Sequence, residues 1–217
     1  MTLVAPETAD DPGRSSARRQ STTLWQRTDT VGTELVIHDD GQGRGESVVA
    51  GPAPYATTWQ AHLDSSRAVR DLTVTCRGAG WERTVWLRRD EDGWSCRTEQ
   101  VGDLDATLAR IGRAPAPLAG IEDPGRLDAG GVLSLTHSPI FVTWAAEHLE
   151  LTAQRGLVGA ATVRVLVPSL TVLPGLVTYQ LLSPGRLRVW GDEPATVFDL
   201  GTDGIVTAQP GRCRLVR

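Results

Sequence analysis

From Thr23 onward the chain repeats one pattern: a short run of alternating or continuous β-formers, then a Gly, Pro or Asp that turns the chain. Such runs fall at residues 24–27, 33–38, 45–49, 55–63, 69–77, 83–89, 94–98, 132–135, 148–153, 160–167, 177–182, 187–190, 196–200, 205–208 and 212–216. The links between them are short, whereas parallel neighbours need crossovers of roughly a dozen residues or more, so the spacing predicts antiparallel pairing.

Residues 69–99 read as a three-stranded meander whose alternation sets a register: Leu72 faces Leu87, Val74 faces Val85 and Cys76 faces Arg83. Asp92-Gly93 then turns the chain so that Leu87 faces Cys96. Trp86 falls on the other face, among Thr73, Thr75, Thr84 and Arg88. That face could line a groove for an amphipathic ligand, or Trp86 could cover a neighbouring strand. The theme breaks once, at residues 101–129, where Asp103 is a plausible N-cap for a helical turn through Arg110 and a Pro- and Ala-rich loop follows. The expected architecture is all-β: one antiparallel sheet curled over itself, with a short helical or irregular insertion at 101–129. It would occupy residues 22–217 as one domain behind a tail at 1–21.

Composition agrees, with 23 Gly and 13 Pro among 217 residues, and excludes a helical bundle or coiled coil. All 22 basic residues are arginine. Without a lysine there is no Schiff-base nucleophile and no P-loop cation, which excludes pyridoxal enzymes and Walker-type NTPases; a GC-rich coding bias explains the absence without functional pressure. The net charge of −4 gives no electrostatic footprint for nucleic acid. The first twenty residues hold no apolar run of signal-peptide length, and residues 163–182, the most apolar stretch, are broken by Arg164, Pro168, Pro174 and Gly175. A cytoplasmic protein with no membrane span is expected.

Cys76, Cys96 and Cys213 form no metal-ligand cluster, and no cofactor or metal is expected. The meander puts Cys96 two strands from Cys76 and offset along the sheet, on the order of 15 Å away, which predicts reduced thiols. His38, His62, His137 and His148 stand on different elements. His62 and Asp64 share a strand face, compatible with an acid–base dyad or with a surface hydrogen bond. No Gly-x-Ser-x-Gly elbow exists. Gly41-Gln42-Gly43-Arg44-Gly45 leads into a strand and not a helix, so a dinucleotide reading fails on context.

A family resemblance begins at Leu24-Trp25-Gln26-Arg27-Thr28-Asp29 with Gly32-Thr33-Glu34. It continues through Gly45 to Gly51, Tyr55, Leu87-Arg88-Arg89-Asp90, Asp92-Gly93-Trp94, Leu127-Asp128, and Ser134 to Ile140. Val167-Pro168-Ser169-Leu170 to Tyr179 follows, then Phe198-Asp199-Leu200-Gly201-Thr202-Asp203-Gly204-Ile205-Val206 and Gln209-Pro210-Gly211. In order and spacing the chain resembles the glycolipid-binding family of bacterial spiral β-roll proteins, from about Leu24 to Val216. It departs at Thr136-His137-Ser138-Pro139 and Phe141-Val142-Thr143-Trp144, where relatives are expected to carry Thr-Asn-Thr, Pro and paired arginines, and at Gln209, where an aromatic is expected.

The resemblance implies a non-catalytic binding protein with a groove for a glycolipid or acyl-chain ligand, working as a monomer or homodimer. Glu34, Trp59, Trp86, Asp128, His137 and Tyr179 are the expected lining and rim. A small hydrolase or isomerase, using His62 with Asp64 or His137 with Asp128, is the alternative from another class. A structural role in which exposed tryptophans dock a partner is a third reading.

Overall fold

A computed structural model describes residues 20–152, 156–191 and 194–216; most of the expected tail, residues 1–19, lies outside the described residues. Among the described residues fourteen strands form one sheet. The first seven are β1 (Ser21–Arg27), β2 (Gly32–His38), β3 (Gln42–Val49), β4 (Tyr55–Leu63), β5 (Val69–Gly78), β6 (Trp81–Asp90) and β7 (Gly93–Gly102), each antiparallel to the next. The expected meander register is present pair for pair, including Cys76 with Arg83 and Leu87 with Cys96. Helix α1 (Leu104–Arg110) follows, its first turn capped by the Asp103 carboxylate, which accepts from Ala106 N at 2.9 Å. A single 3-10 turn covers Pro124–Arg126.

The remaining elements are β8 (Val132–Leu135), α2 (Ile140–His148), β9 (Leu157–Val165), β10 (Val172–Ser183), β11 (Arg186–Gly191), β12 (Thr196–Leu200), β13 (Val206–Gln209) and β14 (Cys213–Val216). The sheet runs β7-β6-β5-β4-β3-β2-β1-β14-β13-β12-β11-β10-β9-β8. The chain thus starts in the middle of its own sheet, builds outward to one edge at β7, and closes back on β1 through β14.

Two sequence expectations are corrected. Pairing is not antiparallel throughout: β8 and β9 are parallel, Val132 opposite Thr162 and Leu135 opposite Val165, because the connection between them carries α2 as a crossover. The run at 148–153 is not a strand. His148 ends α2, the chain leaves the helix through Leu149 and Glu150, and Glu150 takes a left-handed φ of 48°; Ala153 lies outside the described residues.

Helix α2 escapes a strand-by-strand reading because it is apolar nearly all round, as a helix enclosed on several sides must be. Phe141 and Trp144 enter one buried cluster with Trp59, Val74, Leu133 and Val163, while Ala145 enters a second with Tyr179, Leu187, Phe198 and Val206. The first cluster joins strands from the β1–β7 limb to β8 and β9, so the two limbs of the sheet face each other across the helix. Trp59, Phe141 and Trp144 meet edge to face at centroid separations of 5.0, 5.1 and 5.9 Å. The glycine-rich run at 41–45 makes room for them: a Cβ at Gly43 would collide with the Trp144 ring and one at Gly45 with the Trp59 indole.

The Cys76–Arg83 pair puts a guanidinium on the buried face, and Arg83 is 2% exposed. Its Nη1 donates to the carbonyls of Pro117 at 2.8 Å and Ser169 at 3.0 Å, pinning the Pro- and Ala-rich loop and the turn before β10 to β6. Cys76, Cys96 and Cys213 are free thiols. Replacing Arg83 by alanine strips two loop carbonyls of their donor and opens a void. Urea unfolding should show a loss of about 3 kcal/mol, against less than about 0.5 kcal/mol for Arg88→Ala on the exposed face.

Candidate functional site

Two cavities adjoin the segment that leaves β8, residues Leu135 to Ser138, which lines both. The larger, of about 200 Å³, lies over the second buried cluster. Val142 of α2, Val177 and Tyr179 of β10, Val189 of β11 and Phe198 of β12 give it an apolar wall. Polar groups stand around this wall: Ser134, Thr136, His137, Thr162, Arg164 and Gln209, with Trp190 beside them. Arg188 stacks over the Trp190 ring at 5.1 Å, and Leu176, 71% exposed, also lines the cavity. Burial of the Tyr179 hydroxyl raises its pKa far above the ordinary value, so it serves as a neutral group at any physiological pH.

The smaller cavity, of about 20 Å³, mixes polar side chains with Val49, Leu135 and Val167 and is called the polar cavity below for its buried carboxyl group. It is enclosed by Arg27, Thr33, Glu34, Ser47, Tyr55, Thr57, Trp59 and the same 135–138 segment. Glu34 reaches it because β2 pairs with β1 so that Glu34 lies opposite Trp25, on the buried parity, leaving Leu35 to the exposed side. Trp59 Nε1 donates to Glu34 Oε1 at 2.9 Å. Glu34 Oε2 and Ser138 Oγ are both buried and neither makes a well-formed hydrogen bond; the Ser138 hydroxyl faces the Glu34 carboxyl only closely enough to favour its charged form. Arg27, the nearest cation, is committed elsewhere: its Nε and Nη2 donate to the two Asp29 oxygens at 2.9 and 2.7 Å, and Arg212 adds a third contact to Asp29 at 3.3 Å. The hydrogen bond from Arg27 holds the Asp29 carboxyl down to about 2. Desolvation therefore dominates at Glu34, and its pKa is pushed up to about 7 despite help from Ser138, Trp59 and Arg27.

His137 stands where the two cavities meet, at a left-handed φ of 71°. Surrounding protein and the charges of Arg27 and Arg212 lower its pKa, Asp29 opposing them. The residue is nonetheless exposed to solvent, which screens part of that effect.

Of the six expected residues, the structure brings Glu34, Trp59 and His137 together at the polar cavity, and His137 with Tyr179 at the larger one. Trp86 and Asp128 line neither. Trp86 lies on the outer face of the meander with the Arg97 guanidinium 4.1 Å from its ring centre. Asp128 shapes the turn before β8: its Oδ1 accepts from Gly130 N at 2.7 Å and its carbonyl from Trp94 Nε1 at 2.9 Å. Sequence reading missed Ser138 as a site residue, Arg27 and the aliphatic wall; the opposition of Trp25 and Glu34 in a hairpin register was the available signal for the polar cavity.

The proposed dyads are not assembled in this geometry. Asp64 spends its oxygens on Ser66, Ala68 and Arg89, and His62 is opposite Asp71. Among the described residues no hydrogen bond links His62 to Asp64 or His137 to Asp128. Asp64, Ser66 and His148 do touch, but the His148 Nδ1 lies 3.0 Å from the Ser66 carbonyl, which requires that nitrogen to carry the proton and prevents it from acting as a base toward Ser66 Oγ. No group of three or more His, Cys, Asp or Glu residues that could hold a metal occurs among the described residues.

The structure is thus a curled all-β sheet with an amphipathic cavity over its second buried cluster and a smaller cavity where the two limbs meet. Residues 22–214 match the family model "Putative glycolipid-binding", and the chain belongs to that family. No curated protein matches it. Its fold is similar to that of a DUF1089 family protein from Pseudomonas aeruginosa known by crystallography, with a TM-score of 0.64 at 16% identity over 96% of this chain and 97% of that one.

Because Glu34 holds a proton in the folded state up to about pH 7 while the unfolded chain releases it near 4.5, its contribution to stability is complete below 4.5 and is lost as pH rises through 7. His137, with a depressed pKa, works with the opposite sign as pH falls below 6.5. The difference in unfolding free energy between wild type and Glu34→Gln isolates the first effect. It should shift against the wild type by on the order of 3 kcal/mol between pH 4.5 and pH 7; a difference that does not change with pH would show that Glu34 is ionised in the fold.

Proposed function

We propose that this chain is a non-catalytic binding protein for a glycolipid-like amphipathic ligand, held in the cavity between α2 and β10–β12. One observation carries the reading: an apolar wall of Val142, Val177, Tyr179, Val189 and Phe198 is bordered by the polar groups of Thr136, His137, Thr162, Arg164 and Gln209. Such a lining takes an alkyl segment on one side and orients a polar head on the other. The family to which the chain belongs, named for glycolipid binding, supports the same class of ligand. The described residues include no helix long and apolar enough to cross a membrane, and access to a lipid would therefore come from the exposed side of this cavity, where Leu176 and Trp190 stand.

The size of the cavity limits what it can hold. Ligand sites usually enclose roughly 300–1,000 Å³, and about 200 Å³ accommodates a short alkyl segment with the rest of the molecule outside. Burial contributes about 0.8 kcal/mol per methylene, so affinity across a series of alkyl glycosides should rise about fourfold per added methylene and level off once the wall is covered. Val142→Trp and Val189→Trp should remove binding while circular dichroism and melting temperature stay near wild type. Native mass spectrometry and lipid extraction of the purified protein give the direct check. A chain that carries no lipid and ignores every alkyl length would overturn the reading, as would a flat length series.

A further inference from the structure

The polar cavity is placed as an extension of the ligand site. It shares Leu135, Thr136, His137 and Ser138 with the larger cavity, so this short stretch of chain lies between them. Its volume of about 20 Å³ is enough for one water-sized group, whose threshold is ~10–15 Å³. Two side chains that border it are left unsatisfied: Glu34, 5% exposed, at Oε2, and Ser138, 5% exposed, at Oγ. A buried oxygen without a partner is costly to the fold, and two such oxygens beside one water-sized space form a site for a single hydroxyl. Thr57, 2% exposed, and Tyr55 add hydroxyls to the lining.

We propose that this cavity is a hydroxyl-anchoring subsite: a hydroxyl of a sugar or glycerol head enters it to bond Glu34 Oε2 and Ser138 Oγ, while the alkyl part of the same molecule lies in the larger cavity. Entry passes His137, whose ring is exposed and makes no hydrogen bond among the described residues, so displacing it breaks none. The acid form of Glu34, populated near neutral pH, donates as well as accepts, which matches the two-way hydrogen bonding of a hydroxyl. Trp59 senses occupancy directly, because its indole N–H is bonded to the other oxygen of Glu34.

This subsite rests on the lipid-binding reading above, and one comparison separates the two. Titration calorimetry with n-octyl β-D-glucopyranoside and with n-octyldimethylamine N-oxide, which carries no hydroxyl, measures, for one chain length, the ratio of affinities with and without a sugar head. Glu34→Gln and Ser138→Ala should each lower that ratio about tenfold, the worth of one hydrogen bond to a buried polar group. In wild type the Trp59 indole N–H resonance should move with the glucoside and not with the hydroxyl-free N-oxide. An unchanged ratio in both variants, or an indole resonance that responds equally to the two molecules, overturns the subsite and leaves the lipid-binding reading standing. Failure of both molecules to bind wild type overturns the lipid-binding reading and the subsite with it.

Discussion

The edge-to-face packing of Trp59, Phe141 and Trp144 is the contact on which the roll depends. A fourteen-stranded open sheet has two limbs that must each cover an apolar face, and twist alone does not tell them where to meet. Helix α2 supplies the meeting place by presenting Phe141 and Trp144 to the β1–β7 limb and Ala145 to the β10–β13 limb. The rings approach β3 closely because Gly43 and Gly45 carry no side chain there. An apolar wedge on bare backbone has a narrow set of acceptable positions, since a displaced aromatic ring loses many small contacts at once. Thr143 fixes the other limb by accepting from Val206 N at 3.1 Å.

Polar groups buried at this seam do the rest of the specification, and they divide by whether they are satisfied. Trp25 Nε1 donates to the Val206 carbonyl at 2.9 Å, tying β1 to β13, and Arg83 ties β6 to two loops. The low dielectric around these bonds strengthens them, although Arg83 Nε is itself buried without a partner. Glu34 Oε2 and Ser138 Oγ are the opposite case. Burial without a partner is a standing cost, tolerated in a fold only where surrounding packing holds the groups in place. Here that packing is the aromatic wedge itself, since Trp59 belongs to it and is also the partner of Glu34.

Much of the sheet could be read from the sequence, because period-two alternation and turn residues are local. The bounds of β4, β8 and β12, the Asp103 cap and the whole β5–β7 register follow from neighbours a few residues apart. Helix α2 could not be read the same way. Ile140, Phe141, Val142, Thr143 and Trp144 are residues that favour strands, and a helix enclosed on several sides shows no polar stripe to reveal its period. With α2 unseen, the crossover that makes β8 and β9 parallel had no cause in the sequence. The site divided similarly. Glu34, Trp59, His137 and Tyr179 fall at the two cavities, whereas Trp86 and Asp128 were singled out for residue type and position in a motif, neither of which reports distance in space. Ser138 and Arg27 matter only through what the seam places beside them.

Placement of the cavities follows from this construction. In a sheet that starts at its own centre and ends beside its start, the 135–138 segment is bordered by both limbs, with β2 and β4 on one side and β10–β12 on the other. The two limbs bring different chemistry to that segment: the first presents Arg27, Glu34, Tyr55 and Thr57, the second Val177, Tyr179, Val189 and Phe198. The second limb and the 134–139 segment supply both the apolar wall and the polar border of the larger cavity, and the first limb adds the smaller, Glu34-bearing cavity beside it. The same join explains why the site is small. The aromatic wedge that makes the limbs meet also fills the space between them, leaving room at its margins, where the segment leaving β8 lies between the two limbs. A larger internal cavity would require a smaller wedge, and a smaller wedge would loosen the contact that sets the distance between the two sets of side chains.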